Sequence, residues 1–448
     1  MKKIELAFFL CLLSVSFSYA GGILTNANQS AQYVRMLSRN ASTQADAVYF
    51  NPAGLVNLEN GFHFSLNNQS IFQSRTIENN FPLLNQSTYE GGLTVPVFPS
   101  AFAVYKKDKL ALSFGFGVNG GGGTAEYKTG LPSFEIPFST LPTVISGFGI
   151  PTSNYSADLF FKGSSVFLGF QLGVSYEISD VVSGSVGLRY IDAVNNYDGH
   201  IHNILINPQH PQINPNGSFM PATDFFTAIG QPGYAVLTAD KDVDVKQTGK
   251  GLIPILGLNI KPGEKLNIGM RYEFRTKLEM TNETKVDGTG QFPDDAKFRN
   301  DIPAILAAGV DYQLFDNMKV SASYSNYFDK DANWDGKEEN VDKNLYELAF
   351  GMEYQISETT TISAGYMYTK TGVGRGFQSD ISFSLTGNSV GMGLMFKVNE
   401  RTDLDLGVLY TAYASNYKES NYSGIPYKES YDKTNLVFSI GLTYHLFK

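Results

Sequence analysis

The stretch Ser165-Val-Phe-Leu-Gly-Phe-Gln-Leu-Gly-Val-Ser-Tyr-Glu-Ile178 decides the fold. Val166, Leu168, Phe170, Leu172, Val174 and Tyr176 alternate with Phe167, Gly169, Gln171, Gly173, Ser175 and Glu177. One face is apolar throughout and the other is mostly small or polar. A hydrophobic period of two is that of a β-strand with one greasy side, because successive side chains leave a strand on opposite faces. The same period runs through Leu110/Leu112/Phe114/Phe116/Val118, Leu266/Ile268/Met270/Tyr272/Phe274 and Leu348/Phe350/Met352/Tyr354/Ile356. It returns in Val390/Met392/Leu394/Phe396/Val398 and in Phe438/Ile440/Leu442/Tyr444/Leu446.

Working outward from these segments gives fourteen strands, near 61–74, 97–106, 109–119, 164–178, 182–197, 246–261, 264–280, 299–313, 317–328, 343–356, 359–370, 386–398, 401–417 and 432–447. Their connections alternate in length. The tight ones are Lys107-Asp108, Ser179-Asp180-Val181, Pro262-Gly263, Leu314-Phe315-Asp316, Ser357-Glu358 and Asn399-Glu400, and those between are long, polar and rich in Gly, Pro, Asn and Asp. An even strand number with short turns at one end and long loops at the other predicts an antiparallel, all-β transmembrane barrel. A β-sandwich also alternates, but it does not need that asymmetry. Tyr105, Tyr176, Tyr312, Tyr354, Phe396 and Tyr444 share the apolar phase near the short-turn end, as an interfacial aromatic girdle requires.

The composition fits this reading. Of 448 residues 42% are hydrophobic and 17% charged, and a formal charge of −9 argues against a nucleic-acid partner. The single Cys, Cys11, lies in an apolar run from Ile4 to Phe17 that follows Met1-Lys2-Lys3 and precedes Ser18-Tyr19-Ala20. That is a secretory signal peptide over 1–20, cleaved after Ala20. No later stretch reaches eighteen apolar residues, so helical membrane spans are excluded.

Residues 21–58 break the strand pattern and end in Asp46-Ala-Val-Tyr-Phe-Asn-Pro-Ala-Gly-Leu55, followed directly by a strand. This block resembles the FadL/TodX-type outer-membrane transporters of long-chain fatty acids and hydrophobic compounds. The resemblance covers the mature chain in architecture and the N-terminal segment in motif. It implies a fourteen-stranded barrel over 59–448 with an N-terminal hatch over 21–58 plugging the lumen, and it places Asn51, Pro52 and Ala53 in that hatch. A plain turn before the first strand is the simpler reading of Pro and Gly there. The resemblance also implies sideways release of ligand at a kinked third strand. Here that strand carries Gly115 and Gly117 and runs into Gly120-Gly121-Gly122-Gly123, where missing side chains weaken a ladder or simply open a flexible loop. Gly115 to Gly120 also spells a dinucleotide fingerprint, rejected because no helix and no βαβ unit follow.

The loop after this strand holds Phe134, Ile136, Phe138, Leu141, Val144, Ile145, Phe148 and Ile150 with Glu135 as its charge, and the next long loop adds Phe219, Met220, Phe225, Phe226 and Ile229. So much apolar surface in outer loops either packs together or captures a greasy ligand. In the resembled family two such loops form a first-contact groove. A fatty carboxylate needs a cation, and the inward phase offers Arg189 and Arg271, with Arg275 beyond; lumen arginines also pair with lumen carboxylates.

Asp331-x-Asn333-x-Asp335-Gly336 with Asp342 at the twelfth position has calcium-loop spacing, although Asp replaces the usual Glu. The favoured reading is an acidic solvated loop and no cofactor, with a structural calcium at Asp331, Asn333, Asp335 and Asp342 as the alternative. His200, His202 and His210 read as a wet loop, and no nucleophile–base set stands out, so no enzyme is expected. The sequence therefore points to a monomeric outer-membrane barrel of a Gram-negative bacterium, embedded in outer-membrane lipid. It would passively import long-chain fatty acids or similar hydrophobic molecules by loop capture, hatch rearrangement and lateral release. A general polar-solute porin and a surface adhesin are the rival readings. The apolar loop weighs against the first, and the hatch against the second.

Overall fold

The computed structural model describes residues 25–447, so the expected signal peptide over 1–20 and Cys11 lie outside the described residues. Fourteen barrel strands run in chain order: β1 (Gly61–Asn79), β2 (Thr88–Lys107), β3 (Leu110–Tyr127), β4 (Tyr155–Glu177), β5 (Val182–Ile206), β6 (Lys241–Ile260) and the two-part β7 (Leu266–Glu273 and Glu279–Asp287). The second half is the two-part β8 (Lys297–Arg299 and Ile305–Phe315), β9 (Met318–Tyr327), β10 (Leu345–Ser357), β11 (Thr360–Lys370), β12 (Gly387–Asn399), the two-part β13 (Thr402–Tyr413 and Asn416–Tyr422) and β14 (Ile425–Phe447). Each strand pairs antiparallel with its chain neighbours, and β14 returns to β1 in unbroken register from Gly61↔Phe447 to Asn79↔Glu429. Closure removes the sheet edges, the only way a sheet satisfies its backbone inside lipid.

The outward phase is apolar and uncovered on every side of the barrel. Leu172, Val186, Leu252, Phe350, Met392 and Ile440 are examples, with Tyr176, Tyr312, Tyr354 and Tyr444 in the girdle near the short turns. Such a belt around a closed fourteen-stranded barrel faces a bilayer, which makes this an outer-membrane protein. Among the described residues no helix is long and apolar enough to cross a membrane.

The strands are longer than their hydropathy indicated. β1, β2, β4, β5 and β14 continue well beyond the belt toward the long-loop end, because hydrogen-bonded ladders persist after apolar alternation stops. The long loop expected between 417 and 432 is instead a tight hairpin at Ser423-Gly424, both left-handed (φ 51° and 84°). Two adjacent positive φ values match the twist of the flanking strands.

The N-terminal segment lies inside the barrel. Helix α1 (Ala31–Met36), helix α2 (Ala47–Phe50) and a 3-10 turn (Pro52–Asn57) form a compact unit. α1 touches the inner wall of β10 to β14, and the 3-10 turn touches that of β4 to β7. The unit is tied internally by Asp46, whose carboxylate accepts hydrogen bonds from Ser30 (2.9 Å), Ser42 (2.6 Å) and Arg39 Nε (2.9 Å). A fully buried carboxylate is tolerable only with such saturation.

Candidate functional site

Along β10 to β13 the wall is built to receive α1. Arg35, fully buried, places Nη1 2.6 Å from Glu353 and Nε 2.8 Å from Asp405, while Gln32 donates to Asp405 at 2.6 Å. Gly365 and Gly391 lie against the helix backbone, and a Cβ on either would overlap the Met36 or the Val34 carbonyl oxygen. The expected hatch residues dock at the short-turn end. Asn51 donates to Ser42 O (3.0 Å) and Asn259 Oδ1 (2.7 Å), Pro52 O accepts from Ser175 Oγ (2.6 Å), and Ala53 O accepts from Ser183 Oγ (2.7 Å).

The wall at β2 and β3 is different. Their ladder holds at Gly92↔Glu126 and from Ser100↔Gly117 onward, but is broken between. Pro96 and Pro99 remove donors on β2, and Gly121 and Gly122 adopt positive φ (62° and 109°) on β3. Leu93, Val95 and Phe98 fill the space that Cβ atoms at Gly122 and Gly123 would occupy. From inside, the first described residues replace the missing strand. Thr25 bridges to Gly120, Asn26 N donates to Asn119 O (2.9 Å), Asn26 Nδ2 to Gly121 O (2.6 Å) and Gln29 Nε2 to Val118 O (2.7 Å). Of the expected opening residues, Gly120 belongs to this break. Gly115 and Gly117 do not; they sit in regular ladder and make room for Val48 and Gln29 of the hatch.

Above the hatch lies a cavity of about 430 Å³ that reaches this break. Tyr33, Leu93, Phe98, Phe161, Tyr197, Met367, Leu409 and Tyr413 line it. Its charged lining residues are Arg75, Lys433 and Glu347. Arg75 and Lys433 face each other across β1 and β14 and rest over the rings of Phe383 (4.6 Å) and Tyr413 (4.4 Å). Arg75 Nε is buried without a hydrogen-bond partner, and among the described residues neither cation is ion-paired. Sequence reasoning passed over both. Lys433 was available in the inward phase of the last strand, whereas Arg75 fell just past the expected end of the first.

Arg189 and Arg271 are committed elsewhere. Both pair with Glu273 (2.6 and 3.1 Å), their guanidinium groups lie 4.8 and 4.6 Å from the Tyr49 ring, and Arg271 donates to Tyr49 O. They hold the hatch and do not line the large cavity.

The apolar loop residues form a shared core between the two long loops. Helices α3 (Pro132–Ser139) and α4 (Leu141–Gly147) bring Phe138, Leu141 and Ile145, with Ile150 partly buried, against Phe225 and Phe226 of α5 (Ala222–Ala228). Ile136 is buried, Phe134 stacks edge-on to Phe161 (5.6 Å), and Val144 is half-buried. Phe148 and Phe219 remain uncovered, at 64% and 52% exposure. Glu135 anchors this cap, accepting from Tyr89 (2.5 Å) and Tyr155 (2.6 Å). Beside it, Asp380 accepts from Ser133 N (2.8 Å), and burial raises its carboxyl above the usual range.

The calcium-spaced residues do not converge. Asn333 Oδ1 accepts from Asp335 N (3.1 Å), Asp335 Oδ2 from Arg299 N (3.3 Å), Asp331 O from Arg275, and Asp342 uses its backbone N–H toward Gly372 (2.9 Å). Among the described residues no three His, Cys, Asp or Glu side chains gather as a metal site. His200 and His202 pair with Asp158 (3.4 Å) and Asp242 (2.9 Å) on the loop-end extension of the barrel, away from His210.

This arrangement defines a class: an outer-membrane barrel with a folded lumenal hatch, a cavity lined by both apolar and polar side chains, and a broken ladder beside it. The same fold occurs in a Pseudomonas aeruginosa FadL homologue (TM-score 0.64, 14% identity, covering 95% of this chain and 99% of that one). It also occurs in the P. putida toluene transporter TodX (0.57, 15%, 91% and 95%) and the Ralstonia pickettii toluene transporter TbuX (0.55, 16%, 96% and 100%). No family model and no curated protein sequence matches the chain. At such identities the likeness is one of fold, and function has to be argued from the site.

Proposed function

We propose that this protein is a passive outer-membrane transporter of hydrophobic molecules carrying an acidic end, long-chain fatty acids being the model class. Its neighbours in fold include toluene transporters, and its own cavity adds Arg75 and Lys433 to aromatic and aliphatic lining residues, which suits an apolar molecule with an acidic end. The observation that carries the reading is the meeting of that cavity with the β2–β3 break. An apolar chain leaving there enters the bilayer core without crossing water, where each buried CH₂ gains about 0.8 kcal/mol. Phe148 and Phe219 on the cap offer first contact, and Arg75 and Lys433 receive the carboxylate by charge-assisted hydrogen bonds. Ligand then leaves sideways once Thr25–Gln29 and Phe98 move.

The test is uptake by liposomes containing a Leu93→Cys/Gly123→Cys variant, whose side chains meet across the break. Crosslinking should stop oleate entry, and reduction should restore it. Unchanged entry in the crosslinked state defeats the lateral route. Free passage of sugars with no gain for oleate defeats the transporter reading in favour of a porin.

A further inference from the structure

Among the described residues, most buried carboxylates on the inner wall and in the hatch are held by cations; Glu429 on β14 is not, and accepts instead from Asn79 (2.8 Å) and Tyr431 (2.6 Å). Glu353 and Asp405 have Arg35 (2.6 and 2.8 Å), Glu273 has Arg189 (2.6 Å), Asp46 has Arg39 (2.7 Å), and Asp311 has Lys319 (3.5 Å). Glu347, on β10 and in the inward phase opposite Leu348, likewise has none among the described residues. Its Oε2 accepts from Tyr327 (2.8 Å) and its Oε1 from Thr369 (3.3 Å), both neutral hydroxyls. A carboxylate offers about four lone-pair sites, so about half of its capacity is unused. It nonetheless lines the same cavity as Arg75 and Lys433, and no ion pair joins them. An acidic and two basic side chains thus line one chamber of mixed polar and apolar walls without pairing.

A simple fatty acid explains the two cations and leaves Glu347 unexplained, since a hydrocarbon tail laid against a carboxylate strips its water and returns nothing. We infer that the natural cargo is bipolar. Its acidic end is held by Arg75 and Lys433, and a second group, a hydroxyl or an amine, donates a hydrogen bond to Glu347 across the chamber. Between them the carbon skeleton lies against Phe98, Met367 and Leu409. This rests on the transporter reading above and narrows it to hydroxylated or aminated amphiphilic acids.

The test is equilibrium binding to the full-length protein in detergent with two ligand pairs. Oleate and ricinoleate differ by one hydroxyl; laurate and ω-aminolaurate differ by one amine. A hydrogen bond to a charged group corresponds to about a tenfold preference, and ricinoleate or ω-aminolaurate should exceed its plain partner by about that factor. Glu347→Leu should abolish the preference, and oleate, which no longer has a carboxylate to desolvate, should bind at least as tightly as before. Whichever pair shows the larger preference identifies the donor. Equal affinities within both pairs, or a preference that survives Glu347→Leu, overturn the bipolar cargo while oleate binding keeps the transporter reading intact. Failure of every acid to bind overturns both. If Glu347→Leu does not assemble, the wild-type comparison within each pair decides alone.

Discussion

Two arcs of the same barrel wall hold the hatch by different chemistry. Along β10 to β13 contact is made through buried charges and glycines fitted to the helix backbone. At β2 and β3 it is made through neutral hydrogen bonds from Asn26 and Gln29 to a strand that has lost its neighbour. The first arrangement is costly to disturb, because removing one partner strands a buried charge. The second exchanges easily, since a neutral hydrogen bond contributes only about 0.5–1.5 kcal/mol net. Anchorage on one side and weak closure on the other let a plug yield at one edge without leaving the lumen.

The largest test of this asymmetry is Arg35→Leu. It leaves Asp405 without its cation and Glu353 with Lys319 alone. Breaking such a pair costs about 3–5 kcal/mol, so the hatch should detach as a unit and ion conductance across planar bilayers should rise sharply. A silent variant would show that the two arcs do not differ.

The next effect is one of pH. Asp329 sits in the loop between β9 and β10, above the anchored arc, and is 1% exposed. Its Oδ2 accepts from Leu345 N (3.2 Å), while Oδ1 has no partner. Burial pushes its carboxyl from 3.8 up to about 7. The folded state then holds more protons than the unfolded state between those values. Stability from this group is therefore full at acid pH, falls as pH rises from about 4 to about 7, and levels off above. Asp329→Asn should remove that slope and stabilise the barrel above pH 7 by on the order of 3 kcal/mol, read as a thermal shift. Hydrogen exchange at the β2–β3 break should not change.

Gly365→Ala comes third. The new methyl group meets the Met36 carbonyl, and overpacking costs about 1–3 kcal/mol. Proteolysis of the hatch should accelerate, whereas Gly115→Ala, whose methyl group crowds the Val48 side chain (2.9 Å) rather than backbone, should do less.

Much of this architecture was legible in the sequence, for physical reasons. Lipid imposes a strict period of two, so strand number, turn asymmetry and inward phase could all be read from residues such as Val166 to Tyr176. Outside the bilayer that constraint lapses, which is why Arg75, on the continuation of β1, went unseen. Arg189 and Arg271 show the complementary limit. Phase placed them in the lumen, but phase cannot say whether a lumenal arginine meets a ligand or the hatch, because that depends on where Tyr49 arrives from a distant part of the chain. Gly115 and Gly117 were read for flexibility when their role is clearance, a property of the partner surface rather than of the strand. Glu347 and Glu353 share an inward phase on one strand; the reach of Arg35 and Lys319 distinguishes the paired carboxylate from the unpaired one.

The smallest effect is expected at the weak arc, and it bears most directly on function. Asn26→Ala removes one side-chain hydrogen bond, to Gly121 O, but keeps the backbone bond to Asn119. The loss should be about 0.5–1.5 kcal/mol, too little to unseat a hatch held by Arg35 on the far side. Global unfolding should therefore be unchanged, and conductance should stay at the wild-type level. If Thr25–Gln29 must leave β3 before ligand passes, however, the open population rises by the same free energy. Oleate uptake limited by opening should then quicken by about two- to tenfold. Faster uptake without added conductance is a combination that only a local opening gives. Equal increases in both would mean that the hatch moves as one body, and the contrast between the two arcs would lose its functional meaning.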